Sequence, residues 1–205
     1  MRYDIDIINP IEYPGWDDLL ASSQEYTFFH TSAWAKILWE TYHYRPVYFT
    51  VIDDSRLLAL IPMMEVKSIF TGLRGVSLPF TDYCPAIIAK EIELEGVLDV
   101  VKEYGRRYKW KFIETRGGHY PEATATISFY RHRLKLTPDS EQIFSRFKDT
   151  TKRNIRKAMR MGVEVEICRT PEAVDEYCRL HYITRKKHGL PPQPRCFFEK
   201  IYEHI

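Results

Sequence analysis

The sequence has 205 residues, enough for one large domain or for one domain and part of another. Its 30 basic residues nearly balance its 28 acidic ones, so a net charge of +2 does not mark the whole chain as a nucleic-acid binder. No signal peptide is evident at the start, and no window approaches the roughly 18 apolar residues of a membrane span. We therefore expect a cytoplasmic protein whose contact with membranes, if any, is peripheral.

Alternating strand and helix patterns run through the first 137 residues. Short β-branched and aromatic runs predict six strands, at 3–8, 47–52, 57–64, 75–80, 110–114 and 127–136. Apolar residues at helical spacing predict three helices, at 16–22, from Thr31 or Ser32 to about 42, and at 91–108. Residues 1–137 are therefore predicted to form an α/β (α+β) domain, a mixed sheet flanked by helices.

From residue 138 onward the composition shifts toward helix. The patterns predict helices at 138–161, 171–188 and 197–205, and one strand at 163–167. Because a single strand cannot pair with itself, either it extends the first sheet or further sheet follows Ile205. We expect the second alternative, with residues 138–205 forming the start of an incomplete domain and the 205-residue chain inactive by itself.

A dense cluster of cations lies on the helix predicted after residue 138. Between positions 152 and 160 there are five basic residues and no acidic one: Lys152, Arg153, Arg156, Lys157 and Arg160. Aligned cations repel one another, so such a cluster often has an anionic partner. The cluster fits three interpretations, namely a solvated helix face, a phosphate site and an RNA-binding surface. Few aromatic residues are interleaved for base stacking, which counts against the last.

Two further segments are candidates for binding. Arg185 stands at a helix end, where its charge complements the helix dipole or its planar fork reaches a diphosphate. Asp82 directly follows a predicted strand, which suits either a binding site or a turn cap. The seven histidines and four separated cysteines show no metal-ligand spacing, and no nucleophile or nucleotide motif is present. We therefore predict free thiols and no metal site, and we assign no catalytic residue.

Several of these segments, taken in order, resemble the FemABX proteins. Residues 28–36 are similar to their F-x-x-S-x-W-A opening, and residues 78–83 to a strand-end D-Y segment. Residues 151–163 resemble the T-R-x-x-I-R-K-A-x-x-x-G-V helix that opens the second domain, and residues 182–189 resemble the helix end that follows. The order and spacing agree over nearly the whole chain.

The resemblance implies tandem GNAT-like acyltransferase domains, the second of them incomplete here. It implies transfer of an acyl or aminoacyl group to an amine of a peptidoglycan or polysaccharide precursor. The donor would be aminoacyl-tRNA or acyl-CoA, a co-substrate rather than a bound cofactor. The resemblance further implies that Lys36 and Arg185 hold the diphosphate of the precursor. On this basis we expect Asp82 and Tyr83 to contact the substrate, and Arg153 and Arg156 to contact donor phosphates.

Two other functions remain as alternatives. An acetyl-CoA-dependent N-acetyltransferase would need a Q/R-x-x-G-x-G/A cradle for the pyrophosphate, and no good match is present. A non-enzymatic RNA-binding or scaffold protein would use the basic helix instead. We make no prediction of the oligomeric state.

Overall fold

Two long antiparallel strands organise the computed structural model, which describes residues 3–23, 25–118, 120 and 124–205. Contacts divide the chain into one unit formed by residues 1–119 and 171–205 and a second formed by residues 120–170. The sequence predicts a domain boundary after residue 137, whereas these contacts group residues 171–205 with the first unit. The predicted boundary stays a prediction.

The sheet of the first unit has six strands. They are β1 (Asp6–Ile8), β2 (Arg45–Asp53), β3 (Arg56–Ser68), β4 (Gly72–Val76), β5 (Ile87–Ile88) and β6 (Ile113–Glu114). Their order is β1-β2-β3-β4-β6, with β5 paired to β3. The pairs are antiparallel except β4 and β6, which run parallel. A mixed sheet flanked by helices confirms the predicted fold class.

Five helices belong to this unit and two to the second. The first unit contains α1 (Trp16–Ala21), α2 (Ser32–Tyr42), α3 (Leu94–Arg107), α6 (Pro171–Lys187) and α7 (Arg195–His204). The second contains α4 (Ser140–Ser145) and α5 (Asp149–Arg160). The predicted cap of α2 is confirmed, since the Thr31 hydroxyl accepts a hydrogen bond from the Trp34 amide at 3.4 Å.

Helices cover both faces of the central strands. Tyr48 of β2 packs in a cluster with α1, α2 and α7, whereas its neighbours Val47 and Phe49 pack in a cluster with α3. Strands buried on both faces lose the alternation of polar and apolar residues. This explains the nearly continuous apolar runs of β2 and β3.

Several predicted elements are wrong in this structure. The strands predicted at 127–136 and 163–167 have no strand structure, and Val165 is 92% exposed. An extended segment needs a hydrogen-bonded neighbour to count as a strand, and these two lack one within the described residues. The helix predicted through 138–161 is interrupted, because Lys148 is extended and begins α5.

The strand predicted at 75–80 is displaced toward the N-terminus. β4 ends at Val76, and the left-handed φ angles of Leu78 (53°) and Phe80 (62°) prevent continuation of the strand. The remaining predictions in this unit are confirmed in type, with shifted ends. β5 carried no sequence signal of its own, since it has only two residues.

Candidate functional site

Lys36 lies on α2 beside Glu40, one helical turn further along. Its ammonium is 3.8 Å from the Glu40 carboxylate, and its side chain is 45% exposed. An i,i+4 pair of this kind contributes only a few tenths of a kcal/mol, about 0.3–0.5. The Lys36 charge is therefore available to a ligand at little energetic cost.

Glu40 is held more closely by two side chains of α7. Lys200 Nζ lies 3.0 Å from its carboxylate, and His204 Nε2 donates to the same oxygen at 2.9 Å. The hydrogen bond from His204, followed by that from Lys200, lowers the pKa of Glu40 to about 2. Glu40 is thus committed to α7 rather than to Lys36.

The same cluster has the ligand types of a metal site. Single ligand atoms of Glu40, Glu203 and His204 lie within 4.8 Å of one another. However, the Lys200 ammonium is bonded to both carboxylates, at 3.0 Å from Glu40 and 2.6 Å from Glu203. The arrangement is therefore that of an ion-pair network joining α2 and α7.

Arg185 lies near the end of α6, where the chain turns back toward α7. Its Nε and Nη2 atoms donate to the Pro191 carbonyl at 3.1 and 3.0 Å, which leaves Nη1 for another acceptor. α7 packs against both helices that bear the predicted diphosphate ligands, through Phe197 on Trp34 of α2 and Phe198 on Tyr177 of α6. Lys36 and Arg185 are held by different partners, and their joint binding of one anion stays a prediction.

Asp82 and Tyr83 lie on the loop that follows β4, residues 77–85. The Arg116 guanidinium donates to the Thr81 carbonyl at 2.9 Å, and the Cys84 amide donates to the Arg116 carbonyl at 2.7 Å. Arg116 thereby fixes the loop on both sides of Asp82, whose own side chain is exposed. Side chains presented by such a fixed loop can contact a ligand without first being ordered.

The position of Tyr83 depends on a glycine. Gly117 has a left-handed φ of 87°, and a Cβ added to it would lie 2.4 Å from the Tyr83 ring. No side chain larger than hydrogen fits there without moving the tyrosine. Gly117 therefore sets how closely the Tyr83 ring approaches the end of β6.

A buried histidine lies next to the buried cysteine of this loop. His30 Nδ1 accepts from the Thr27 amide at 3.0 Å, so Nε2 carries the proton and donates to the Pro85 carbonyl at 2.9 Å. Burial lowers the pKa of His30 and raises the pKa of the Cys84 thiol to about 12. Although Cys84 Sγ is 3.5 Å from Nε2, this pair is structural, because the thiol stays protonated and both ring nitrogens of His30 are engaged by the Thr27 amide and the Pro85 carbonyl.

The basic surface of α5 belongs to the second unit. It borders an open cavity of about 770 Å³, and its cations are Lys152, Arg153, Arg156 and Arg160. The Arg156 guanidinium stacks over the Phe144 ring at 5.5 Å, which orients it without neutralising it. Arg153 and Arg156 are exposed and lie on the same cavity.

Sequence reasoning missed Arg116, Lys200 and His204. No local pattern joins Glu40 to His204, which lie 164 positions apart. Arg116 follows a two-residue strand, and its role depends on the parallel pairing of β6 with β4. The single usable signal is Gly117-Gly118 directly after it, which points to a backbone conformation that other residues avoid.

Comparison with known proteins confirms the resemblance found in the sequence. Residues 117–204 match the FemAB family. The structure of FemX is similar, with a TM-score of 0.63 and 14% identity over 98% of this chain and 55% of FemX. The chain therefore shares the fold of part of FemX and spans about half the length of FemX.

Smaller proteins are also similar. A ribosomal-protein-alanine N-acetyltransferase from Brucella melitensis biovar Abortus 2308 has a TM-score of 0.42 and 16% identity, over 65% of this chain and 100% of its own. A GNAT family acetyltransferase from Staphylococcus aureus has a TM-score of 0.39 at the same identity and coverage. No curated protein matches. Among the described residues, no helix is both long and apolar enough to cross a membrane.

Proposed function

We propose that this chain is part of an acyltransferase that moves an acyl or aminoacyl group onto an amine of a phosphate-bearing cell-envelope precursor. The observation that carries the proposal is the match of residues 117–204 to the FemAB family. That region contains Arg153, Arg156 and Arg185, which are three of the basic residues expected to bind anions. Three of the proposed ligands therefore lie within the family match, whereas Lys36, Asp82 and Tyr83 precede it.

On the acceptor side, Lys36 and Arg185 are the proposed ligands of the precursor diphosphate. The exposed ammonium of Lys36 and the uncommitted Nη1 of Arg185 can each form a charge-assisted hydrogen bond with a phosphate oxygen. Asp82 and Tyr83, held on the fixed loop after β4, would contact the rest of the acceptor. An anionic acceptor in the cytoplasm would fit this set of residues.

On the donor side, Arg153 and Arg156 would hold phosphates of aminoacyl-tRNA or acyl-CoA. These cations border an open cavity, which suits a large and flexible donor. The amine nitrogen would form a bond to the acyl carbon, the ester or thioester bond would break, and the tRNA hydroxyl or CoA thiol would leave with the proton that the amine loses. Catalysis of this kind depends chiefly on positioning the two substrates and on donors to the oxyanion.

An acceptor-binding measurement tests the first half of the proposal. The probe is a uridine-diphosphate-linked muramoyl pentapeptide, titrated into Lys36→Ala, Arg185→Ala and the double variant. Each lost contact should weaken binding about tenfold or more. Two residues that hold one diphosphate should show a coupling energy in the double-mutant cycle. Lys90→Ala, which removes an exposed cation after β5, serves as the control.

Equal binding by the wild type and all three variants would exclude these residues from the acceptor site. Additive losses would mean that Lys36 and Arg185 bind separate groups. Loss of binding with a lowered melting temperature would instead indicate a structural role. Arg185→Ala is the variant in which a structural effect is most expected, because the Arg185 guanidinium also donates to the Pro191 carbonyl.

The basic surface favours RNA binding as a second candidate function. Residues 120–170 contain eleven basic and six acidic residues, whereas the whole chain carries a net charge of only +2. Filter binding of generic RNA across a range of salt concentrations separates the two functions. Tight binding with a steep salt dependence, unaffected by acyl donors, would favour an RNA-binding protein. Binding of CoA would not separate an acetyl-CoA-dependent N-acetyltransferase from the proposed enzyme, because acyl-CoA is a donor for both, whereas binding of the muramoyl pentapeptide would.

A further inference from the structure

The hairpin between β3 and β4 extends beyond the strands on either side of it. Pairing of β2 with β3 begins at Arg45 and Glu65, and pairing of β4 with β6 begins at Gly75 and Ile113. Residues 66–74 form the β3–β4 finger. Its base is held in the fold, since Val66 is buried and the Lys111 amide donates to the Leu73 carbonyl at 2.9 Å, and its turn at residues 68–71 projects past both neighbouring strands. The pairs Val66–Arg74, Lys67–Leu73 and Ser68–Gly72 hold the two sides of the finger together.

Two large apolar side chains stand at the end of this finger. Ile69 is 99% exposed and Phe70 is 94% exposed, although both occupy a turn where polar residues and glycine are usual. Adjacent to the finger, Phe112 is 46% exposed. Single exposed apolar residues are common, but an adjacent fully exposed pair on a projecting turn is typical of a surface with a partner.

Cations surround the apolar end of the finger. Lys67 is exposed on β3, and the Arg74 guanidinium on β4 lies 5.8 Å from the centre of the Phe112 ring. The Lys111 side chain lies along the finger, since a Cβ added to Gly72 would be 2.7 Å from its Cε. Segments 66–75 and 105–112 together contain six basic residues and no acidic one.

We propose that the β3–β4 finger inserts Ile69 and Phe70 into the surface of an anionic lipid bilayer, with Lys67, Arg74 and Lys111 bound to the lipid headgroups. Apolar residues at a tip and basic residues behind it match the two layers of such a membrane, the acyl boundary and the anionic headgroups. A nucleic acid would use the cations but leave the aliphatic Ile69 without a partner. A protein partner would not require all the charges to have one sign.

This inference goes beyond the proposed reaction and does not rest on it. A peripheral contact of this kind needs no membrane-spanning helix. The finger and the proposed acceptor ligands Lys36 and Arg185 belong to the same unit but are different residues, so the finger can be altered while those ligands stay intact. A defect in membrane binding can therefore be separated from a defect in binding the acceptor.

Flotation of the full-length protein with vesicles tests the proposal. The vesicles contain phosphatidylcholine alone or with about one third phosphatidylglycerol. The wild type should bind the anionic vesicles, and Ile69→Ser with Phe70→Ser should reduce that binding about tenfold or more. Phe70→Trp in the otherwise wild-type protein should bind the anionic vesicles at least as tightly as the wild type, because tryptophan favours the membrane interface.

The charged residues have their own variants and a matched control. Lys67→Gln and Lys111→Gln should each weaken binding about fivefold at low salt. Arg56→Gln and Lys90→Gln remove two exposed cations at the opposite end of β3 and should leave binding unchanged. The difference between the two pairs should shrink at about 1 M salt, where the Debye length falls to about 3 Å.

Three outcomes of the vesicle experiments would overturn the proposal. They are equal flotation of the wild type and the Ile69→Ser, Phe70→Ser variant, equal binding to neutral and anionic vesicles, and equal loss in the control pair. Binding of the finger to RNA in place of vesicles would also overturn it. Unchanged melting temperatures are expected throughout, since every substituted side chain is exposed, and binding of a soluble muramoyl pentapeptide should be unaffected.

Discussion

His204, the last residue of α7, donates a hydrogen bond from Nε2 to Glu40 of α2 at 2.9 Å. Lys200, one turn earlier on α7, contacts the same carboxylate oxygen at 3.0 Å. Two residues of one helix therefore hold a single acidic side chain of another. Lys36 also contacts Glu40, so the position of the Lys36 helix face depends on α7.

Acid should weaken this connection within a defined pH range. The contacts from His204 and Lys200 lower the Glu40 pKa from its ordinary value of 4.5 to about 2. A carboxyl group whose pKa is lower in the folded than in the unfolded protein stabilises the fold at pH values above its unfolded-state pKa. That stabilisation is lost as the pH falls through its folded-state pKa. We expect the difference in free energy of unfolding between the wild type and Glu40→Gln to shrink as the pH falls from about 4.5 to about 2.

Urea denaturation of both proteins at a series of pH values measures this difference. Carboxyl groups away from this cluster titrate equally in both proteins, so the comparison reports on Glu40 together with Glu203, whose pKa the hydrogen bond from the shared Lys200 lowers and the Glu40 charge raises. A difference that stays constant down to the lowest pH would contradict the lowered pKa.

Removing the ring of Phe197 should destabilise the first unit strongly. Phe197 is 4% exposed and lies with Trp34, Tyr42 and Phe80 in one aromatic cluster, at ring distances of 5.9, 5.7 and 5.5 Å. Truncation of a buried phenylalanine costs about 3–5 kcal/mol. We expect Phe197→Ala to lower the free energy of unfolding by that amount, as measured by chemical denaturation followed by tryptophan fluorescence.

Tyr202→Ala is the matched control for this substitution. Tyr202 is an aromatic residue of the same helix with 46% exposure, so its removal should change the free energy of unfolding by no more than about 0.5 kcal/mol. Similar losses in both variants would show that α7 contributes through its helical structure rather than through the Phe197 ring.

The packing of α7 shows where sequence reasoning succeeds and where it fails. The helical spacing predicts α2 and its cap, because those signals are local. The partner of Glu40 depends on the fold of the whole chain, so no window of sequence contains it. The strand β5 is equally hidden, since two residues give no periodicity, whereas β6 lies within the strand predicted at 110–114.

Substitution of Gly117 should move Tyr83. A Cβ at Gly117 would lie 2.4 Å from the Tyr83 ring, and its φ of 87° is unfavourable to other residues. Gly15 has a similar φ of 73° with nothing within 4 Å of an added Cβ. We expect Gly15→Ala to cost about 1–2 kcal/mol from its backbone alone. Gly117→Ala should cost more, because the collision adds to the backbone cost.

Thermal denaturation of the two alanine variants separates the collision from the backbone effect. If Tyr83 contacts the acceptor, Gly117→Ala should also weaken binding of the muramoyl pentapeptide, and Gly15→Ala should not. Equal destabilisation by the two substitutions would mean that Tyr83 moves aside freely.

The segment 163–167 offers the sharpest contrast between pattern and structure. Its strict alternation predicts a half-buried strand, yet Val165 is 92% exposed, whereas Val51 of β2 is 2% exposed. Alternation records which side chains can be buried, but burial requires a neighbouring strand. A charged residue at an exposed position changes stability by no more than about 0.5 kcal/mol, whereas an unpaired buried charge costs more than about 4 kcal/mol.

We therefore expect Val165→Asp to leave the 205-residue chain as stable as the wild type and Val51→Asp to unfold its first unit. The four tryptophans all lie in the first unit, so their fluorescence does not report on the second unit, which contains Val165. Hydrogen exchange of the α5 amides therefore serves to follow the Val165→Asp variant. Circular dichroism and tryptophan fluorescence report on the Val51→Asp variant. Faster exchange throughout α5 in Val165→Asp would mean that Val165 is buried against a partner, and that the alternating pattern had predicted the strand correctly.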